Sequence, residues 1–221
     1  MILPVSQVLP EALLASLRET ASRDTLFRDG AATAGWYART RKHNLQAGDD
    51  PELQELLDRV RQRLLHHELV QAAARPKRVV RLLLSRYEPG MQYGAHIDDA
   101  LMDGHRTDLS FTIFLSPPNS YEGGALVIDE TDGEKTFRLE AGDMLLYPST
   151  TLHRVDTVTS GRRLAIVGWL QSHVRDRDQR EILFDVDRAI HQLRHNGHGD
   201  DAPALELLLK TRSNLLRRWA G

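Results

Sequence analysis

Short apolar runs, separated by glycine, proline and asparagine, occupy the middle of the chain from Val79 to about Gln171. Runs of this length and spacing are typical of a compact all-β unit. Such closely spaced short strands favour two facing sheets or a small barrel, the double-sheet jelly roll or double-stranded β-helix. The pattern predicts strands near 79–87, 93–98, 108–115, 124–129, 134–139, 143–147, 152–158 and 163–170.

Helical periodicity flanks this segment on both sides. Leucines at helical spacing indicate amphipathic helices, and Asp50 followed by Pro51 has the form of a helix start. Gly197 is a typical residue at which a helix ends. The predicted helices cover residues 10–22, a segment from Pro51 to Leu65, residues 177–196 and a segment opened by Asp201 and Pro203 that runs to Trp219, with residues 35–46 extended.

These patterns predict a mainly β protein of the α+β class, with a jelly-roll core and flanking helices. We expect N-terminal helices over 1–76 that cover the outer face of one sheet, and a β-helix core over 77–172. A C-terminal helical extension over 173–221 is expected either to pack on the core or to meet a second copy of the chain in a homo-oligomer.

Composition narrows the kinds of site that the chain can hold. The 221 residues contain no cysteine, which excludes disulfides and thiolate metal sites, so any metal must take nitrogen and oxygen ligands. The net charge of −2 gives no general reason to expect nucleic acid as a partner. Since neither a signal peptide nor a membrane-spanning apolar run is evident, we expect a cytoplasmic protein without a membrane partner.

A histidine and a carboxylate stand two residues apart at His96 and Asp98, in a segment predicted to be extended. Side chains two apart on a strand share a face, so both could bind one metal ion. A pair of polar residues at this spacing is more often a solvent-facing feature than a metal site. His153, which enters a later predicted strand, could supply a third ligand and leave other positions of the metal open.

Arg163 begins the last predicted strand, ten residues after His153. An arginine that points into an apolar barrel is costly to bury without an anionic partner, and a carboxylate suits its fork. A free dicarboxylate would supply that partner. Strand alternation predicts that Arg162 faces the other way, where an ordinary surface salt bridge fits it.

These residues, on this strand framework, resemble the iron(II)- and 2-oxoglutarate-dependent dioxygenases, and within them the prolyl-hydroxylase-like branch. The tail Gln171-Ser172-x-x-Arg175-Asp176 and the closing Asn214-Leu215-Leu216-Arg217-x-Trp219 make the chain most similar to the bacterial PKHD-type hydroxylases, which are associated with iron uptake. The motifs that carry the resemblance are Arg86-Tyr87-x-x-Gly90-x-x-Tyr93-x-x-His96-x-Asp98, Glu122-Gly123-Gly124-x-Leu126, Gly142-Asp143-x-x-x-Tyr147-Pro148-x-x-x-x-His153, Gly161-x-Arg163 and Trp169-x-Gln171-Ser172.

The resemblance implies specific roles for these residues. His96, Asp98 and His153 would bind iron(II), and Arg163 would hold the distal carboxylate of the cosubstrate 2-oxoglutarate. Tyr87, and after it Tyr93, would hydrogen-bond the cosubstrate, although core packing explains either tyrosine equally well. The family's reaction would hydroxylate an organic substrate with dioxygen and release succinate and CO2, with ascorbate (vitamin C) as a reductant for oxidised iron.

One position departs from the family's pattern. Some prolyl hydroxylases have a second tyrosine on the strand after the ligand pair, where this chain has the phenylalanine region from Phe111 to Phe114. The resemblance therefore leaves the cosubstrate contacts on that strand open. It also leaves the substrate open between a small molecule, such as a siderophore-related compound, and a peptidyl residue such as proline.

Two other functions fit some of these residues. A non-enzymatic, cupin-like binding or sensing protein would use the same sheets and metal, but it would not need Arg163. A zinc hydrolase could use two histidines and an aspartate, yet no general base is evident and Arg163 would have no role. The second histidine cluster, His191, His195 and His198, is predicted to be a polar helix face.

Overall fold

Two antiparallel sheets form the middle of the protein in the computed structural model, which describes residues 1–33, 39–195 and 203–221. The first eight strands are β1 Leu3–Val5, β2 Phe27–Asp29, β3 Lys42–His43, β4 Leu45–Ala47, β5 Pro76–Tyr87, β6 Gln92–His96, β7 Leu101–Met102 and β8 His105–Arg106. The following eight are β9 Leu109–Phe114, β10 Tyr121–Gly123, β11 Leu126–Glu130, β12 Gly133–Phe137, β13 Met144–Pro148, β14 His153–Val155, β15 Val158–Gly161 and β16 Arg163–Ser172.

The larger sheet has seven strands in the order β1-β13-β9-β16-β5-β4-β2, and the smaller has five in the order β12-β11-β14-β6-β3. Two short pairs, β10 with β15 and β7 with β8, complete the β structure of the described residues. The helices are α1 Glu11–Thr20, α2 Pro51–His66, α3 Glu68–Ala74, α4 Arg177–His195 and α5 Pro203–Trp219.

Alternation along the strands of the larger sheet creates two separate cores. One face packs against the N-terminal helices, with leucines such as Leu17, Leu56 and Leu84 in a single buried cluster. The other face looks toward the smaller sheet across a second cluster that includes Tyr87, Phe114 and other residues of both sheets. The predicted two-sheet core, with helices on one outer face, is confirmed.

Helix α2 begins where its sequence predicts. The Asp50 side chain accepts a hydrogen bond from the Leu53 backbone N–H at 2.9 Å, and Pro51 occupies the first turn. This hydrogen bond, together with Arg23, holds the pKa of the Asp50 carboxyl below its usual value. The helix is therefore capped by a residue whose charge also suits the helix dipole.

Several boundaries differ from the sequence prediction. The prediction that His96 and Asp98 share a strand face is wrong, because strand β6 ends at His96 and Asp98 lies beyond it. The segment predicted as one strand over 152–158 forms two, β14 and β15. Strands β3 and β4 fall largely within the segment 35–46 that was predicted to be extended, whereas the short strands β1, β2, β7, β8 and β10 and the seven-residue helix α3 were not predicted. Residues 34–38 and 196–202, including Gly197, His198 and Asp201, lie outside the described part of the chain.

Both ends of the chain are tied to the core. Strand β1 forms an edge of the larger sheet beside β13, and β3 forms an edge of the smaller sheet beside β6. At the other end Gly221 donates its backbone N–H to the His173 carbonyl at 2.9 Å, just after β16. Among the described residues, no helix combines the length and the apolar character needed to span a membrane.

Candidate active site

His96, Asp98 and His153 converge at one point between the sheets. His96 ends β6 and is the direct cross-strand partner of His153 on β14. Asp98 approaches both rings, with Oδ1 3.9 Å from Nε2 of His96 and Oδ2 3.7 Å from Nε2 of His153. One donor atom from each residue lies within 4.8 Å of the other two, and all three side chains are largely buried.

The two imidazole rings are held in the same way. Nδ1 of His96 lies 2.9 Å from the Gly94 carbonyl, and Nδ1 of His153 lies 3.0 Å from the Thr151 carbonyl. A carbonyl oxygen can only accept, so Nδ1 carries the proton in each ring. Both Nε2 atoms therefore present a lone pair toward Asp98, which is the arrangement typical of metal-binding histidines.

Aromatic rings restrict the histidines further. Tyr93 stacks on His96, with ring centroids 3.6 Å apart, and Tyr147 packs edge-on against His153 at 5.1 Å. Burial, and next the neighbouring His153, lower the pKa of His96 to about 4. His96 is consequently neutral at physiological pH, the state in which an imidazole can bind a metal ion.

Asp98 accepts a hydrogen bond from the larger sheet. Ser110 on β9 donates a hydrogen bond of 2.5 Å to Oδ2 of Asp98, and the Ser149 hydroxyl lies 2.8 Å from the Ser110 hydroxyl. The sequence analysis did not single out either serine. The signal available was alternation, since Ser110 and Thr112 are the polar positions of an otherwise apolar and buried strand.

Lys42 is a further cleft residue that the sequence analysis missed. It lines the same cleft as the three converging side chains, with Nζ 5.1 Å above the centre of the Tyr93 ring. Burial lowers the pKa of Lys42 to about 8, although Asp98 and Asp29 act in the opposite direction. No sequence motif contains this lysine, which the pairing of β3 with β6 brings to the site.

Arg163 begins β16 and is 1% exposed. No group in the described residues forms a hydrogen bond with its Nε, Nη1 or Nη2 atom. Its guanidinium carbon lies 5.1 Å from the centre of the Tyr87 ring and 5.5 Å from that of Phe114. A buried guanidinium with all three nitrogens unsatisfied is costly, so this position fits an anionic ligand that enters the cleft.

Arg162 turns away from the cleft, as strand alternation predicts. It is exposed and lies 3.4 Å from Glu88 and 3.8 Å from Asp24 in surface ion pairs. A glycine makes room for its neighbour Arg163. A Cβ atom on Gly124 would lie 3.0 Å from Cδ of Arg163, and Gly124 adopts a φ of +61°.

Three tyrosines surround the interior of the site. Tyr87 lies against Arg163 and Tyr93 lies against His96, which places both predicted tyrosines in the cleft. Tyr147, which the sequence analysis gave only as part of a motif, is the third tyrosine of the cleft. Burial raises the pKa of each of the three phenols, so their hydroxyls remain protonated and can donate to a ligand.

One cleft, with an empty volume of about 830 Å³ that includes its open mouth, is lined by the triad, Arg163, Lys42, Ser110 and the three tyrosines. Its walls beyond the triad combine apolar side chains, such as Met102 and Val167, with polar ones. This lining offers a guanidinium to a small dicarboxylate and apolar surface to an organic molecule. Two imidazoles and one carboxylate are the donor set typical of non-haem iron(II) oxygenases, so the residues present fit iron(II) and a dicarboxylate cosubstrate.

The second histidine cluster does not form a comparable site within the described residues. His191 and His195 stack on helix α4 with ring centroids 3.9 Å apart, and Nδ1 of His195 lies 2.8 Å from the His191 carbonyl. Among the described residues, the only group of three or more side chains that could hold a metal ion together is His96, Asp98 and His153. His198 lies outside those residues.

Comparison with solved structures shows the fold. The chain is similar to a prolyl-4-hydroxylase of Pseudomonas putida, with a TM-score of 0.55 and 20% identity, covering 77% of this chain and 92% of that one. It is also similar to the epimerase SnoN from nogalamycin biosynthesis, with a TM-score of 0.59, 16% identity and coverage of 78% of both chains. At these identities the likeness concerns the jelly-roll architecture alone.

Comparison of sequences goes further. The family model described as the 2OG-Fe(II) oxygenase superfamily matches residues 82–171, and the model for the PKHD-type hydroxylase C-terminal domain matches residues 178–221. A PKHD-type hydroxylase of Acaryochloris marina is 47% identical over 222 residues, which is 100% of each chain. A second, from Parvibaculum lavamentivorans, is 47% identical over 219 residues, covering 99% of each. The chain therefore belongs to the PKHD-type hydroxylases, iron(II)- and 2-oxoglutarate-dependent enzymes of the 2OG-Fe(II) oxygenase superfamily.

Proposed function

We propose that His96, Asp98 and His153 bind the iron(II) of this hydroxylase and that Arg163 binds the distal carboxylate of 2-oxoglutarate. The observation that carries the proposal is the pairing of a converging His-Asp-His triad with a buried, unsatisfied guanidinium in one cleft. When bound, iron(II) and 2-oxoglutarate use dioxygen to convert a substrate C–H to C–OH, with succinate and CO2 as the other products.

The contribution of the chain to this reaction is binding and orientation. His96, Asp98 and His153 would hold the metal through three protein ligands, which would leave room for the cosubstrate and dioxygen. The Gly94 and Thr151 carbonyls hold the two imidazoles in the tautomer that binds a metal. Arg163 neutralises the far carboxylate, so a dianion can enter the interior of the barrel.

Tyr87 is proposed as the tyrosine that contacts the cosubstrate, with Tyr93 as the second candidate. Tyr87 is the cross-strand partner of Arg163, which suits a hydrogen bond to the same distal carboxylate. Tyr93 covers one face of His96 and is better suited to position the imidazole. Substitution of each tyrosine by phenylalanine distinguishes these roles, since we expect Tyr87→Phe to weaken 2-oxoglutarate binding more than Tyr93→Phe does.

The test of the proposed function is succinate formation. Protein purified without oxygen, reconstituted with iron(II), is expected to convert 2-oxoglutarate to succinate, at least slowly without substrate, whereas zinc(II) should not support turnover. A protein that binds iron and 2-oxoglutarate but never forms succinate, with cell extract added as a source of substrates, would favour the cupin-like binding function. Hydrolytic activity that zinc(II) restores and iron(II) does not would favour a hydrolase.

The substrate is proposed to be either a small molecule connected with iron uptake, such as a siderophore-related compound, or a peptidyl residue such as proline. The apolar and polar side chains that line the cleft suit either a small molecule or the side chain of a peptide. A screen of cell extract fractions for compounds or peptides that stimulate succinate formation and gain about 16 mass units, one oxygen atom, distinguishes the two.

Further features of the enzyme are proposals at the level of the whole protein. Ascorbate is proposed as the reductant that returns oxidised iron to iron(II), in a cytoplasmic enzyme that acts on neither nucleic acid nor membranes.

The division at 1–76, 77–172 and 173–221 is proposed as an N-terminal region, catalytic core and C-terminal extension. The C-terminal helices are proposed to mediate a homo-oligomer, which light scattering coupled to gel filtration would detect.

A further inference from the structure

Asp98 differs from the two histidines in what holds it in place. Each histidine is fixed by a carbonyl two residues earlier in its own segment. Asp98 lies past the end of β6, after the exposed Ile97, where the sheet no longer determines the direction of its side chain. Its described hydrogen bond comes instead from Ser110, twelve residues later, at 2.5 Å.

We propose that Ser110, supported by Ser149, is the positioning residue that orients the Asp98 carboxylate for metal binding. This inference rests on the proposed role of Asp98 as a metal ligand. Ser110 is 1% exposed and Ser149 is 3% exposed, so water does not compete for either hydroxyl.

The direction of the hydrogen bonds follows from the chemistry of the three groups. An ionised carboxylate only accepts, so the single proton of Ser110 is donated to Oδ2 of Asp98. The Ser110 oxygen is then free to accept, and the Ser149 hydroxyl, 2.8 Å away, donates to it. A charge-assisted bond at the end of a short chain is stronger than an isolated hydroxyl contact.

The two serines occupy rigid positions in the larger sheet. Ser110 lies inside β9, with Tyr147 of β13 and Trp169 of β16 as its cross-strand partners. Ser149 directly follows β13 and donates its backbone N–H to the Asp108 carbonyl at 3.3 Å. The hydrogen bond from Ser110 to Asp98 thus crosses the cleft, from the larger sheet to the segment that follows β6 of the smaller sheet.

The geometry assigns the contact to one carboxylate oxygen. Ser110 binds Oδ2, the oxygen that faces Nε2 of His153, whereas Oδ1 faces His96. Without Ser110 the carboxylate could rotate about its Cβ–Cγ bond, because terminal torsions of this kind are broad. Metal affinity should then fall even though all three ligands are still present.

The experiment measures manganese(II) binding to metal-free protein by electron paramagnetic resonance, which needs neither substrate nor turnover. We expect Ser110→Ala to weaken binding by about 10- to 100-fold, the range found for residues that orient metal ligands. Ser110→Thr keeps the hydroxyl and should restore affinity. Ser149→Ala should weaken binding less than Ser110→Ala, because Ser110 can still donate to Asp98.

The matched control is Ser172→Ala. Ser172 is also a fully buried serine of the larger sheet, but its hydroxyl donates to the Ala74 carbonyl at 2.6 Å, away from the cleft. Its removal should lower thermal stability and leave manganese affinity unchanged. Such a result separates the orientation of Asp98 from a general loss of packing.

Equal manganese affinity of folded Ser110→Ala and wild-type protein would overturn the inference while leaving the proposed metal site intact. If wild-type protein bound no manganese, with or without 2-oxoglutarate, the metal site and the inference would both fail. Should Ser110→Ala not fold, the decision passes to Ser149→Ala, where weaker affinity supports the inference and wild-type affinity contradicts it.

Discussion

Two consecutive arginines, the buried Arg163 and the exposed Arg162, allow the cosubstrate site to be tested by comparing neighbouring substitutions. Arg163→Ala should raise the dissociation constant for 2-oxoglutarate roughly 100-fold, because it removes charge-assisted hydrogen bonds that contribute about 3 kcal/mol. Arg162→Ala removes only surface ion pairs and should change the dissociation constant for 2-oxoglutarate less than twofold. Calorimetric titration of the metal-loaded protein measures both, and equal affinities in the two variants would contradict the assignment of Arg163.

The ligands allow a second comparison of single residues. His96→Ala and Asp98→Ala should each reduce bound iron and bring succinate formation below detection, because two ligands do not hold the metal in place. His43→Ala is the control, since His43 is an exposed histidine on β3, beside β6. Iron content after anaerobic reconstitution is the measurement, and full iron content in Asp98→Ala would exclude Asp98 as a ligand.

The sequence predicts those side chains whose chemistry is unusual for their position. A histidine-aspartate pair, a later histidine and an arginine in a strand all stand out, and the structure brings all four into one cleft. Ser110 and Ser149 do not stand out, because serines are common and their contacts depend on strand register over 12 and 39 residues. Lys42 reaches the cleft through strand pairing that its neighbours in sequence do not predict.

At the scale of elements, the turn before β11 explains the glycine pair Gly123 and Gly124. A Cβ atom on Gly124 would lie 2.8 Å from Cγ2 of Val158 as well as 3.0 Å from Arg163, and its φ is +61°. Gly124→Ala should therefore destabilise the protein by about 2–4 kcal/mol, from backbone strain and overpacking, and also weaken 2-oxoglutarate binding.

Gly133→Ala is the matched control for Gly124→Ala. Gly133 also has a positive φ, of +118°, but no atom lies within 4 Å of the added Cβ. It should show strain in thermal unfolding and normal cosubstrate affinity. A Gly124→Ala protein with normal affinity would mean that Arg163 does not depend on this turn.

Strong patterns predicted the long elements, while short elements had too few residues to show a period. Strands β5, β9 and β16 and helices α1, α2, α4 and α5 follow from periodicity. Strands β3 and β7 have two residues each, and the ends of β14 and β15 depend on which backbone groups find a partner. The position of Asp98 outside β6 could not be predicted for the same reason, because the end of a strand depends on its pairing with adjacent strands.

At the scale of the whole molecule, Asp187 joins three separate segments. It accepts hydrogen bonds from Arg75, which follows α3, and from Nε of Arg212 on α5 at 2.5 Å. The Arg75 side chain is largely buried, so removing Asp187 leaves a desolvated charge without its partner. This carboxylate therefore connects the C-terminal helices to the rest of the protein.

Asp187→Ala should lower the free energy of unfolding by about 2–3 kcal/mol, less than for a fully buried pair because Arg212 is partly exposed. Asp185→Ala, on the same helix, removes an exposed pair with Arg188 and should cost less than about 0.5 kcal/mol. Thermal unfolding compares the two. A similar midpoint for both variants would show that the Asp187 contacts do not stabilise the attachment of the C-terminal helices.

The shared orientation of His96 and His153 also has a spectroscopic consequence. Both Nδ1 protons are enclosed in buried hydrogen bonds to backbone carbonyls, so they should exchange slowly with solvent. In a nuclear magnetic resonance spectrum of the protein with a diamagnetic ion such as zinc(II), two imidazole N–H resonances should therefore be visible at neutral pH. They would report separately on the two sides of the site, before any substrate is known.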